Sequence, residues 1–161
     1  KEMLYEQCEE DGHLVLTPGN STDFEYIKKD IRMAAKKFDL QMVGYDPYAG
    51  GQMALELEDD KIDMVEVRQG ISSMSEPAKL LQSLISDGKF NYQGSDKCLE
   101  WQVGNASIKT DANENIKVQK AADKPHNKVD SIVAIITGLA IAKLKEPKPE
   151  SPYKKRGMIL I

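Results

Sequence analysis

Only two cysteines, Cys8 and Cys98, and two histidines occur among the 161 residues, and no CxxC pair is present. A structural zinc site therefore lacks ligands, and so few thiols suit a reduced, cytosolic chain without disulfides. No run of about 18 apolar residues exists, so nothing reads as a membrane span. No signal peptide precedes the first apolar segment either. Eleven glycines and seven prolines are too few for a collagen or a low-complexity chain. What is present, 40% apolar and 30% charged residues, describes one ordinary globular domain. A chain of this length can bury roughly two thirds of its unfolded surface without staples. Its first residue is Lys1 rather than Met, which hints at a piece of a longer polypeptide.

Positive charge is also scarce where a general nucleic-acid binder would need it. The net charge is −4. Between Lys143 and Arg156, six basic residues (Lys143, Lys145, Lys148, Lys154, Lys155, Arg156) face only Glu146 and Glu150. The rest of the chain is accordingly more acidic than the total. Such a body has no broad basic face, so any contact with nucleic acid is local, through a few lysines or through cations that offset carboxylates.

Alternating elements imply an α/β layer fold. Gly12–Thr17 reads as a short strand closed by Pro18-Gly19-Asn20. Ser21, Thr22 and Asp23 can cap a helix with Phe24, Ile27, Ile31, Ala34, Ala35 and Phe38 on one face, lysines opposite, lying on a sheet. Leu40–Tyr45 is a second strand, ended by Asp46-Pro47. A helix around Gln52–Leu57 and a third strand over Ile62–Val67 follow. Ser75-Glu76-Pro77 opens a helix with Pro77 in its first turn, its stripe formed by Leu80, Leu81, Leu84 and Ile85. Residues 89–119 read as loop with a strand near Leu99–Val103, where Trp101 is a core side chain. Val129–Leu144 is a helix apolar on nearly all sides and so buried. Residues 1–145 form the domain. Residues 146–161 form a flexible basic tail ending in the apolar Met158–Ile161.

The absent motifs prune the chemistry. Without GxxxxGK[ST], GxGxxG or GxSxG there is no phosphate loop, dinucleotide turn or nucleophile elbow. Carboxylates remain. Asp46 follows an apolar strand at the end that faces a crevice in open sheets; it is either a ligand held on a rigid strand or the opener of an Asx turn. Asp130, in Lys128-Val129-Asp130-Ser131, either caps the last helix or lies as a carboxylate within apolar surroundings, where it needs a partner. Mg²⁺ or Mn²⁺ is such a partner.

The series Gly44-Tyr45-Asp46-Pro47-Tyr48, Val67-Arg68-Gln69-Gly70, Met74-Ser75-Glu76-Pro77-Ala78-Lys79, Leu99-Glu100-Trp101, Asn105, Lys120 and Lys128–Ala134 resembles the large terminase subunit of tailed phages and prophages, in order and spacing. The part resembled is the C-terminal nuclease domain. The resemblance implies a ribonuclease-H-like mixed sheet with helices on both faces, and endonucleolytic cutting of concatemeric double-stranded DNA during packaging. It implies Asp46 and Asp130 as catalytic, metal-binding aspartates of a two-metal Mg²⁺ or Mn²⁺ site. Lys120, Asn105 and Lys128 are the implied phosphate contacts, and His126 is a further neighbour of the site or a solvated loop residue. Double-stranded DNA, the small terminase subunit and the portal protein are the implied partners, in the cytoplasm of a bacterial host.

One departure stands out. The family's first catalytic aspartate lies on an earlier strand, and nothing before Gly12 fits it. The chain thus reads as a piece lacking the ATPase motor and the opening strand or strands, with a partial metal site and an unpaired sheet edge near Leu14–Leu16 prone to self-association. Two alternatives stay open: a non-catalytic module docking on the portal or small subunit, and another ribonuclease-H-like nuclease such as a junction resolvase.

Overall fold

The structure, a computed structural model, describes residues 2–92, 94, 96–122 and 127–145. His126 and the tail 146–161 lie outside them. Six helices and four strands follow one another: α1 (Glu2–Glu10), α2 (Phe24–Lys37), β1 (Val43–Tyr45), α3 (Pro47–Asp59), β2 (Met64–Glu66), α4 (Ile71–Ser86), α5 (Lys97–Gly104), β3 (Ala106–Thr110), β4 (Ile116–Lys120) and α6 (Asp130–Ala142). A turn of 3-10 helix, Lys143–Lys145, extends α6. No described helix is long and apolar enough to cross a membrane.

The strands form two ladders rather than one sheet. β1 and β2 pair in parallel, with Gly44 opposite Val65, and β3 and β4 form an antiparallel hairpin with Ile108 opposite Val118. Helix α6 joins the two parts. Its buried Ile132, Ile136 and Ile141 pack with Val67, Met74, Ala78 and Leu81 in one core, and Val65 and Val118 rest against it. Gly44 lets β1 lie close on α6: a Cβ there would sit 2.9 Å from Thr137 Cγ2. Among the described residues, the β1 edge opposite β2 has no partner strand.

Local chemistry explains most boundaries. Pro47 cannot extend the β1 ladder but suits the first turn of a helix, so the helix begins there, well before Gln52, and ends at Asp59, just past Leu57. Helix α4 also starts earlier than the proline suggests, at Ile71 after Gly70, with the Ser73 hydroxyl donating to the carbonyls of Arg68 (2.5 Å) and Gly70 (3.2 Å). Pro77 is buried inside it, at the seventh position.

Two segments differ in type. Leu99–Val103 is helical, because Asp96 caps α5 by accepting from the Leu99 amide (2.9 Å) and because Cys98 and Gln102, one turn apart, are the residues it buries. The alternation of Leu99, Trp101 and Val103 imitates a strand; Trp101 is half-buried, edge-on to Tyr5 of α1 with centroids 5.8 Å apart. Gly12–Thr17 forms no strand. Its Leu16 amide donates to Glu9, and Val15 and Leu16 are exposed. A strand needs a ladder partner to satisfy its backbone, and none is described beside it. The unpaired edge therefore belongs to β1, not to Leu14–Leu16.

Helix α2 carries its apolar stripe largely in the open, with Phe38 62% exposed. It docks on α3 through charge instead. Lys28, only 5% exposed, pairs with Glu25 and Glu56, and Arg32 donates to Asp60 at 2.7 Å.

Candidate functional site

Asp46 closes β1 and opens α3. Its Oδ1 accepts from the Tyr48 amide at 3.1 Å, the Asx-type cap anticipated for an Asp-Pro pair. One oxygen does this work, and Oδ2 makes no hydrogen bond to a described residue.

Asp130 departs from the capping alternative. Val129 holds the N-cap position of α6, and Asp130 is the first residue of the helix proper, its side chain making no cap bond. Its carboxylate is exposed and has no hydrogen bond or ion pair with any described residue.

These two carboxylates share one open groove of about 720 Å³. The β1 segment forms one wall and Lys117–Lys120 of β4 the other. Val133, Thr137 and Ile141 of α6 line it between them. Lys120 lies on the same surface, exposed, its carbonyl accepting from the Ser107 hydroxyl at 3.4 Å. Lys117 lines the groove too, but its ammonium is bound to the Gln69 carbonyl. Burial, together with the nearby Glu66 carboxylate, pushes the Tyr45 phenol up, so it stays neutral at the groove wall.

The other two predicted contacts sit elsewhere. Asn105 is 3% exposed and does not line the groove. Its amide donates to the Lys128 carbonyl (3.2 Å) and accepts from Asn127 (2.8 Å), and its carbonyl accepts from the Ala121 amide (2.9 Å). With its side chain buried and bonded to Lys128 and Asn127, Asn105 fastens the segment leading to Asp130. Lys128 is exposed but also lies off the groove. Conversely, Lys117 and Gln119 of β4 line it, although neither is a predicted contact. The two-residue period of Ile116-Lys117-Val118-Gln119, after the turn-rich Asp111–Asn115, is the signal that would have placed them on a strand.

Among the described residues no group of three or more His, Cys, Asp or Glu side chains is arranged to hold a metal. The groove brings two carboxylates, both hard oxygen donors of the kind Mg²⁺ and Mn²⁺ take.

Residues 1–146 match the protein family described as terminase large subunit, endonuclease domain. The chain belongs to that family. It is 28% identical over 142 residues to protein YmfN of Escherichia coli (strain K12), covering 88% of this chain and 31% of that protein. To the terminase large subunit of Enterobacteria phage HK97 it is 27% identical over 140 residues, covering 86% and 27%. The crystal structure of the HK97 large terminase superposes with a TM-score of 0.74 at 26% identity, over 85% of this chain and 28% of that one. The large terminase nuclease of thermophilic phage G20c shares the fold, with a TM-score of 0.58 at 17% identity over 80% and 66%. The fold is thus the α/β, ribonuclease-H-like class of the phage terminase nucleases. The chain spans under a third of the length of the curated relatives it matches.

Proposed function

We propose that this nuclease domain is a divalent-metal-dependent endonuclease that hydrolyses phosphodiester bonds of concatemeric double-stranded DNA during phage genome packaging. One observation carries the proposal: Asp46 at the end of β1 and Asp130 at the start of α6, 84 positions apart in sequence, line the same open groove with Lys120. The unpartnered carboxylate of Asp130 and the remaining oxygen of Asp46 are the groups that would hold Mg²⁺ or Mn²⁺. A divalent ion there would supply positive charge against the negative charge on the phosphoryl and leaving oxygens and would make a bound water more acidic.

The chain's own residues do the rest. Lys120 meets a backbone phosphate as a point charge. A two-metal arrangement needs a further carboxylate beyond Asp46 and Asp130. The free edge of β1, beside Asp46, is where an additional strand bearing it would fit. Within the longer terminase subunit the ATPase motor, the small subunit and the portal protein are the proposed partners of this cutting activity.

The test is cleavage of plasmid DNA in Mn²⁺ by the full-length subunit carrying Asp46→Ala and Asp130→Ala. Cleavage falls by several orders of magnitude if these carboxylates hold the metal. Cleavage that survives the double substitution, with portal binding lost instead, would identify the groove as a docking surface.

A further inference from the structure

Helix α6 is preceded, at its N-cap position, by a residue whose side chain cannot cap it. Val129 at the N-cap position has an apolar side chain, φ −138° and ψ 14°, and makes no side-chain cap bond. The first amides of a helix nevertheless need acceptors. The Ile132 and Val133 amides both donate to the Val129 carbonyl at 3.1 Å. The Ser131 amide is served from another helix: Gln102 of α5, 8% exposed, accepts it on Oε1 at 2.8 Å. The opposite end of the Gln102 side chain, Nε2, points to Cys98 Sγ at 3.9 Å, an acceptor, so the amide is oriented with its oxygen toward α6. Three residues on, Asn105 holds the Lys128 carbonyl. Helix α5 therefore grips the α6 entrance on both sides of Val129.

This arrangement decides what Asp130 can do. Aspartate is among the best N-cap residues and valine among the worst. Left to local preference, α6 would start one residue later, with Asp130 as its N-cap and the carboxylate folded back onto the Ile132 or Val133 amide. We infer that Gln102 is a positioning residue: by capping α6 from outside, it keeps the N-cap at Val129 and leaves the Asp130 carboxylate free to face the groove. Its functional meaning rests on the reading of Asp130 as a metal ligand, whereas the choice of helix start does not.

The experiment compares the 161-residue chain with Gln102→Met, which keeps the shape and removes the acceptor, and with Gln102→Leu should the first fold poorly. Gln102→Glu retains an acceptor, and Asp130→Asn serves as a reference. Carbon chemical shifts of Asp130 report whether it is helical or an extended cap, amide exchange of Ser131 reports its bond, and water-proton relaxation reports Mn²⁺ binding. In Gln102→Met, Asp130 shifts to extended values, Ser131 exchanges at least tenfold faster, and Mn²⁺ binds at least fivefold more weakly. Gln102→Glu restores the helical shift of Asp130. Helical Asp130 shifts and a protected Ser131 in Gln102→Met would overturn the inference. So would Mn²⁺ binding that Gln102→Met leaves intact while Asp130→Asn removes it. Mn²⁺ binding indifferent to Asp130→Asn would refute the metal reading instead, with the shifts and exchange still deciding the helix start.

Discussion

Replacing Gly44 by alanine places a methyl group where β1 crosses α6. A Cβ at this position lies 2.9 Å from Thr137 Cγ2 and 3.4 Å from Cγ2 of both Ile141 and Val67. The nearest of these is closer than real methyl contacts allow, so something must move. Thr137 cannot simply turn away, because its hydroxyl donates to the Val133 carbonyl at 2.9 Å and it is only 8% exposed. Rotating it forfeits that bond, worth about 1 kcal/mol; pushing β1 outward is overpacking, which costs about 1–3 kcal/mol. Alanine returns about 0.4–1 kcal/mol by restricting the unfolded chain. The net loss is then about 1–2 kcal/mol, or a fall in Tm of about 2–8 °C for a domain of this size. Urea denaturation of Gly44→Ala, Thr137→Ser and the double variant measures it. Thr137→Ser removes the offending methyl and keeps the hydroxyl, so the double variant should recover about 1 kcal/mol of the alanine penalty. A Gly44→Ala chain as stable as the parent, or a cycle with no coupling, would refute the close approach of β1 to α6.

Two further outcomes follow from buried and paired groups. The hydrogen bond from Lys28, supported by Gln52, holds the Glu56 carboxyl below the usual carboxylate range. A depressed folded-state pKa contributes stability above the ordinary carboxylate value and loses it as pH falls through the folded value. Denaturation midpoints between pH 6 and pH 3 should therefore fall less steeply in Glu56→Gln than in the parent, and parallel curves would contradict the pairing. Burial, together with the hydrogen bond to Cys98, pushes the Cys8 thiol up to about 11. Aromatic disulfide reagents at pH 8, read out by peptide mapping, should leave Cys8 unmodified in the folded chain and modify it fully in guanidinium.

The α/β pattern was readable because periodicity is a local property. Helix α2 shows its stripe and its Asp23 cap in sequence, and Pro47 both ends β1 and starts α3. Where two periods coincide, local reading failed: Leu99, Trp101 and Val103 alternate like a strand, but the Asp96 cap and the burial of Cys98 with Gln102 make α5 a helix. The apolar stripe of α2 likewise promised a buried face, which the described residues leave open while the Lys28 ion pairs do the docking.

Composition and motifs limited which side chains could do chemistry: few thiols, few histidines, no phosphate-binding loop motif, and two aspartates at element junctions. They could not separate a cap from a ligand, because each aspartate is a good cap in its own local context. Packing between distant segments settled only the caps. It left Asp46 capping through one oxygen, supplied the α6 cap from Gln102 on another helix, and withdrew Asn105 into the core. A carboxylate's role depends on which groups reach it from distant parts of the chain, and those distances exist only once the chain has folded.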